Sequence, residues 1–128
     1  GAEGVQIGTR FALTEESSAS PVFKDYCLSL GEGDTKLLLK KLAPTRLVKN
    51  AFREAVEKAE DSGASAEDLR TLLGRGRAKK GIFEGDLEEG ELEIGQVSAI
   101  ISRRQSVAEV MDELVAAYQR AAKKDYLF

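Results

Sequence analysis

An apolar segment that runs straight into Gly-Thr constrains this chain more than any other feature. Residues Gly1-Ala2-Glu3-Gly4-Val5-Gln6-Ile7-Gly8-Thr9-Arg10-Phe11 predict a buried parallel strand, a tight turn at Gly8-Thr9 and the start of a helix. Glycine leaves room beside the backbone for an anion's oxygen, the first helical amides have no acceptor within their own helix, and the threonine hydroxyl adds a donor. The same residues also make an ordinary turn into a helix, with Gly8 demanded by backbone angle, Thr9 capping the helix and Gln6 closing the strand end. A lone parallel strand has two unpaired edges and two apolar faces that something must cover. The chain offers one clear strand of this kind and does not begin with methionine, so the expectation is a C-terminal piece of a longer α/β protein.

Beyond the turn, most segments carry helical signals. Ser20-Pro21 reads as N-cap and first helical residue, followed by the stripe Phe23, Tyr26, Cys27 and Leu30, and Gly31 and Gly33 end that helix. Leu37-Leu38-Leu39 fits strand or buried helix equally, and Pro44 interrupts the chain shortly after it. Asn50 caps a helix with Phe52, Ala55, Val56 and Ala59 inward and Gly63 at its end. Ser65 with Asp68, and Ser106 with Glu109, read as capping boxes. Between Gly74 and Gly90 the basic residues Arg75, Arg77, Lys79 and Lys80 precede the acidic Glu84, Asp86, Glu88 and Glu89, with glycines throughout, which predicts a functional or solvated loop. Ile94, Val97, Ile100 and Ile101 are expected on one helix. The final helix carries Val107, Val110, Met111, Leu114, Tyr118 and Ala121 as a core stripe, with Arg120, Lys123 and Lys124 near its C-terminus, where cations suit the helix dipole.

Composition narrows the classes. With 42% hydrophobic residues, 32% charged residues and a net charge of −3, the 128 residues hold one domain's worth of core and give no sign of disorder. No apolar run reaches the roughly 20 residues that span a bilayer, and the N-terminus lacks the form of a signal peptide; a cytoplasmic location is expected and no membrane partner. The basic cluster is short, is followed at once by acid and has no interleaved aromatics, which argues against nucleic acid. The acidic run lacks the calcium-loop spacing, so no metal is assigned. The single cysteine, Cys27, excludes an internal disulfide and falls at core spacing. No internal repeat is present.

The opening segment resembles the last barrel strand and phosphate turn of the nitronate monooxygenase family, formerly 2-nitropropane dioxygenases, which includes the FMN-dependent enoyl-acyl-carrier-protein reductases. Asp34-Thr35, Thr45-Arg46-Leu47-Val48-Lys49-Asn50, Gly76-Arg77-Ala78, Glu84-Gly85-Asp86 and Gly95-Gln96 come in that family's order. The resemblance implies an α/β fold: the C-terminal part of a TIM (β/α)8 barrel, a last strand plus a mostly helical C-terminal segment, because a whole barrel takes about 250 residues. It divides the chain into 1–30 (last strand, phosphate turn and following helix), 31–93 (a helical insertion with the charged, glycine-rich loop) and 94–128 (C-terminal helices packing on the barrel).

The implied cofactor is FMN, its phosphate held by Gly8 and Thr9 with help from Gln6 and Ile7. Arg10 is expected in a surface ion pair. Gly95 and Gln96 match a segment on the substrate side, although Glu93 and Ile94 stand where the family favours an apolar and a small residue. The implied chemistry is flavin redox, on a nitronate or, with NAD(P)H, on an enoyl thioester, and the charged insertion between Ser62 and Gly90 leans toward the reductase branch. The family's catalytic histidine comes from an earlier strand. This chain has no histidine, so no catalytic residue is assigned, and the piece alone is expected to be inactive and not to bind FMN tightly. Its expected partners are the remainder of its barrel, a small-molecule substrate and a second copy in a homo-oligomer. The competing class is a non-enzymatic helical protein-interaction module, separable by whether the Gly8-Thr9 turn faces an open anion pocket.

Overall fold

In a computed structural model, residues 2–122 are described; Gly1 of the expected strand and Lys123 and Lys124 of the expected last turn lie outside them. The elements in chain order are α1 (Thr9–Ala12), α2 (Pro21–Leu28), β1 (Thr35–Leu38), β2 (Thr45–Val48), α3 (Ala51–Asp61), α4 (Ala66–Leu73), a π-helical turn (Lys79–Phe83), a 3-10 turn (Gln96–Ile100) and α5 (Val107–Ala122).

The helix starts arise from side-chain chemistry. The Ser20 hydroxyl accepts from the Phe23 amide at 3.1 Å with Pro21 at the first position, and the Asn50 side chain accepts from the Arg53 amide at 2.8 Å. Both expected capping boxes form, at Ser65 with Asp68 and at Ser106 with Glu109. Gly63 takes a positive φ of 80° where α3 ends, as a C-terminal glycine does.

Two expectations about sheet are corrected. The segment before Thr9 forms no strand; it is irregular and largely exposed, with Val5 82% accessible. It meets no partner strand among the described residues, so no ladder forms, and Val5 has nothing packed over it. Conversely, the insertion expected to be helical overall contains the described sheet, an antiparallel β1–β2 hairpin with Thr35 opposite Val48 and Leu38 opposite Thr45, which settles as strand the Leu37-Leu38 run that the sequence leaves open between strand and helix. Leu38 and Leu47 share one face and are buried, while on the other face Leu37 is exposed and Val48 is buried in the opposite apolar cluster, so both faces are covered where β2 ends. Leu39 leaves β1 at φ 56° and is nonetheless buried; its packing in the core offsets a backbone strain of about 1 kcal/mol.

Two apolar clusters hold the elements. One joins Leu13, Phe23, Cys27 and Leu30 to Val48, Leu92 and Ile94, so the early and late parts of the chain share a core. The other packs Leu38, Leu39 and Leu47 against Phe52 and Val56 of α3 and Leu69 of α4. Ala55, expected inward, is exposed. Lys24 is buried in the first cluster's rim, donating to the carbonyls of Glu15 at 3.1 Å and Ser17 at 2.7 Å and so tying down the α1–α2 connection.

The charged loop is neither a lid nor freely solvated. Arg77 lies 4.4 Å over the Phe52 ring and donates to the carbonyls of Leu72, Leu73 and Glu89. Asn50 donates to the Leu87 and Gly90 carbonyls, and Gly81 and Gly90 sit so close that a Cβ on Gly90 would stand 2.2 Å from the Gly81 Cα. The loop's opposite charges pair locally, Lys80 with Asp86 at 3.0 Å and Lys79 with Glu84 at 3.6 Å.

Two further apolar stripes are corrected. Val97 and Ile100 of the 3-10 turn are exposed, Ile100 at 81%, and on α5 only Val110 is fully buried while Met111, Val115 and Tyr118 face out. These residues keep helical spacing but have no element opposite them. Instead α5 and the opening segment flank an apolar groove lined by Val5, Ile7, Phe11, Met111, Leu114 and Tyr118.

Candidate functional site

Gly8 lines a cleft of about 520 Å³. The cleft is lined by the run Gln6, Ile7, Gly8 and Thr9, by Val97 and Ile100 of the 3-10 turn and Ile101, Ser102 and Arg103 after it, and by Arg10, Gln105 and Glu113. A Cβ on Gly8 would meet nothing within 4 Å, so the backbone is open to the cleft at that point. The amides that begin α1 have no acceptor in their own helix. An anion can therefore approach the turn without displacing a side chain.

Thr9 joins the two segments singled out in the sequence. Its hydroxyl oxygen accepts from the Gly95 amide at 3.0 Å across 86 residues of chain, and a Cβ on Gly95 would stand 2.4 Å from that oxygen. Gly95 is thus a glycine because the Thr9 side chain occupies the space its Cβ would need. The Thr9 hydroxyl proton stays available to a second acceptor. Gln96 is exposed and lines no wall of the cleft, while Ile94 is buried in the core and Glu93 bridges to Leu47 beside β2. Of the expected substrate-side pair, the structure places Gly95 at the turn and leaves Gln96 apart from it.

Arg10 makes the ion pair expected of it, with Glu113 of α5. The same carboxylate accepts from Gln105 at 2.7 Å and pairs with Arg103 at 3.0 Å. Gln105 is buried, and with Arg10 it holds the Glu113 carboxyl below the usual carboxylate range. Arg103, Gln105 and Glu113 carry no sign of this role in the sequence. The start of α5 is tied to the segment after α1: Glu16 accepts from the Val107 amide at 3.0 Å and the Glu15 amide donates to the Gln105 carbonyl at 2.9 Å.

The middle motifs of the sequence build scaffold. Asp34 accepts from the Gly31 amide and from Lys49, each at 2.8 Å, and its own carbonyl receives Arg53, so its acidity is increased by the Lys49 bond first and the Gly31 amide second. Asp86 receives the Glu88 and Glu89 amides and Lys80, folding the acidic loop on itself.

A family model, Nitronate monooxygenase, matches residues 1–117. The chain belongs to the nitronate monooxygenase family. Its relatives include a probable nitronate monooxygenase from Bacillus subtilis (strain 168), 31% identical over 115 residues that are 89% of this chain and 33% of that protein. Among solved structures, FabK from Thermotoga maritima superposes with a TM-score of 0.79 at 29% identity, over 96% of this chain and 39% of that one. A point mutant of the same FabK gives 0.78 at 25% identity, over 96% and 36%. The chain therefore spans between a third and two fifths of the length of these relatives.

Within this family member, other reactive groups are accounted for by packing. Cys27 is fully buried and burial pushes its thiol up to about 12, which removes it as a nucleophile. Burial, then the neighbouring Glu93, raises the Glu91 carboxyl to about 7 against the pull of Arg77. Among the described residues no three His, Cys, Asp or Glu side chains group as metal ligands, and no helix is long and apolar enough to cross a membrane.

Proposed function

We propose that this chain supplies the phosphate side of an FMN site in an FMN-dependent oxidoreductase, as the C-terminal part of a (β/α)8 barrel whose remaining body carries the rest of the site. The observation that carries the reading is the Gly8-Thr9 turn, open to a cleft and locked by the Thr9–Gly95 hydrogen bond, in a chain of the nitronate monooxygenase family. The residues fit a phosphate monoester: glycine beside open space, a hydroxyl with a proton to donate, first-turn amides and two guanidinium groups at the cleft. Gly8 and Thr9 hold the phosphate, with the Gln6 and Ile7 backbone completing the wall and the Gly95 amide orienting the Thr9 hydroxyl. FMN, when bound, supplies hydride and electron transfer; this chain binds and orients its phosphate end. The absence of histidine leaves the proton-transfer residue to the barrel body.

The relatives divide between the two branches at nearly equal identity; the charged insertion between Ser62 and Gly90 is what leans the reading toward the enoyl-acyl-carrier-protein reductase branch, with NAD(P)H as electron donor. The barrel body is the partner that covers the apolar groove between residues 5–11 and α5, and a cytoplasmic setting suits both branches. In this reading the 128-residue chain alone purifies colourless and without activity. An NMR titration with FMN and riboflavin tests it: FMN shifts the Gly8 and Thr9 amides at millimolar concentration and riboflavin, lacking the phosphate, does not. Equal shifts with both, or none with FMN, defeat the reading. Isolated chain that retains yellow flavin and reduces it with a nicotinamide defeats the division of labour between the two parts.

A further inference from the structure

Among the described residues Glu113 is the sole acidic side chain lining the cleft, and both cleft arginines converge on it. Arg10 and Arg103 come from opposite ends of the chain, one from α1 and one from the linker before α5, and each pairs with the same carboxylate. Gln105 donates to that carboxylate at 2.7 Å and so fixes its position. The pairing leaves donor capacity unspent: the Arg10 Nε is buried with no partner, and each guanidinium carries about five donors, more than one shared carboxylate accepts.

We propose that Glu113 is a built-in stand-in for the ligand phosphate. It holds Arg10 and Arg103 at the cleft when no phosphate is present, and yields them to the phosphate when one enters. The inference rests on the reading of the cleft as a phosphate site and adds its mechanism of loading. The cleft side chains sum to one net positive charge, two arginines against one glutamate. A phosphate monoester brings close to two negative charges and three acceptor oxygens, against one charge and two oxygens for the carboxylate. Exchange therefore favours the phosphate for both guanidiniums. Arg103 keeps a second anchor throughout, Glu109 at 3.6 Å, and Gln105 keeps Glu113 from moving with the arginines into the cleft. The device makes the site selective: a neutral or weakly charged ligand does not displace Glu113, whereas a dianionic phosphate does.

The experiment is a titration of the isotope-labelled 128-residue chain with FMN and, separately, with inorganic phosphate, monitoring the Gly8 and Thr9 amides and the Arg10 and Arg103 Nε–H signals together. Both arginine signals are expected to move in step with the amides. Glu113→Gln, at an exposed carboxylate whose loss leaves the core intact, is expected to tighten phosphate binding about three- to tenfold, because it removes the competing anion. Arg10→Gln and Arg103→Gln are each expected to weaken it by about threefold or more. Amide shifts with stationary arginine signals overturn the exchange and leave the phosphate site standing. Unchanged or weaker binding by Glu113→Gln, with the amides still responding, overturns the stand-in role. If FMN moves neither the amides nor the arginines, the phosphate reading fails and this inference fails with it.

Discussion

At the scale of single residues, the tightest constraints lie where backbone meets side chain. Gly95→Ala would drive a methyl to 2.4 Å from the Thr9 hydroxyl, so Thr9 must rotate away and the Gly95 amide loses its acceptor. The expected cost is about 1–2 kcal/mol of stability, together with loss of the FMN-specific shift at Thr9. A double variant, Gly95→Ala with Thr9→Ala, removes the oxygen that the new methyl would strike and is expected to recover part of the stability in a denaturant melt, without restoring the FMN-specific shift. Glu91 gives a second test. Its carboxyl is raised from 4.5 to about 7 by burial and by Glu93, so the folded state holds the proton more tightly than the unfolded chain. That contribution is fully present below 4.5 and is lost as pH rises through about 7. Glu91→Gln keeps the shape without the charge. Its stability at pH 8 should exceed the parent's by about 1 kcal/mol and at pH 4 should match it, and equal pH profiles for the two proteins would show that Glu91 carries no penalty.

At the scale of elements, side-chain chemistry made the helix starts legible and left the sheet obscure. Ser20-Pro21, Asn50, Ser65 with Asp68 and Ser106 with Glu109 each satisfy backbone donors within three residues, so neighbouring sequence is enough to read them. Strands depend on partners. Leu37-Leu38-Leu39 could not be assigned alone because the residues that make it a strand, Thr45 to Val48, lie across a loop; the opening segment read as a strand has no such partner among the described residues. The loop from Gly74 to Gly90 misled for a related reason, since its order comes from Asn50 and Phe52, distant in sequence. Asn50 does two tasks, capping α3 and donating to the Leu87 and Gly90 carbonyls. Asn50→Ala should therefore cost about 2–3 kcal/mol, against about 1 kcal/mol for Ser65→Ala, which only loses a cap. Similar losses for the two in denaturant melts would mean that the loop does not depend on Asn50.

At the scale of the molecule, half of the candidate site was legible and half was not. The Gly8-Thr9 turn was readable because glycine and threonine at the entry to a helix have local meaning, whereas Arg103, Gln105 and Glu113 enter the cleft only through the packing of α5 beside α1. That packing also exposes an apolar face. Val115 is 47% and Tyr118 74% accessible, and with Met111 and Val5 they form a face that water solvates poorly. The chain keeps the arrangement of FabK over 96% of its length yet spans only 39% of that chain, and in the proposed reading the barrel body covers this face. Without that body, two copies are expected to cover it for each other. Sedimentation velocity over a concentration series should then show the chain shifting from monomer to dimer. Val115→Glu combined with Tyr118→Glu should hold it monomeric with little loss of melting temperature, because neither side chain is in the core and the new charges face water. A parent chain that stays monomeric at every concentration would mean that the groove between residues 5–11 and α5 closes on itself in solution. Dimers that survive the double variant would place the contact elsewhere on the surface.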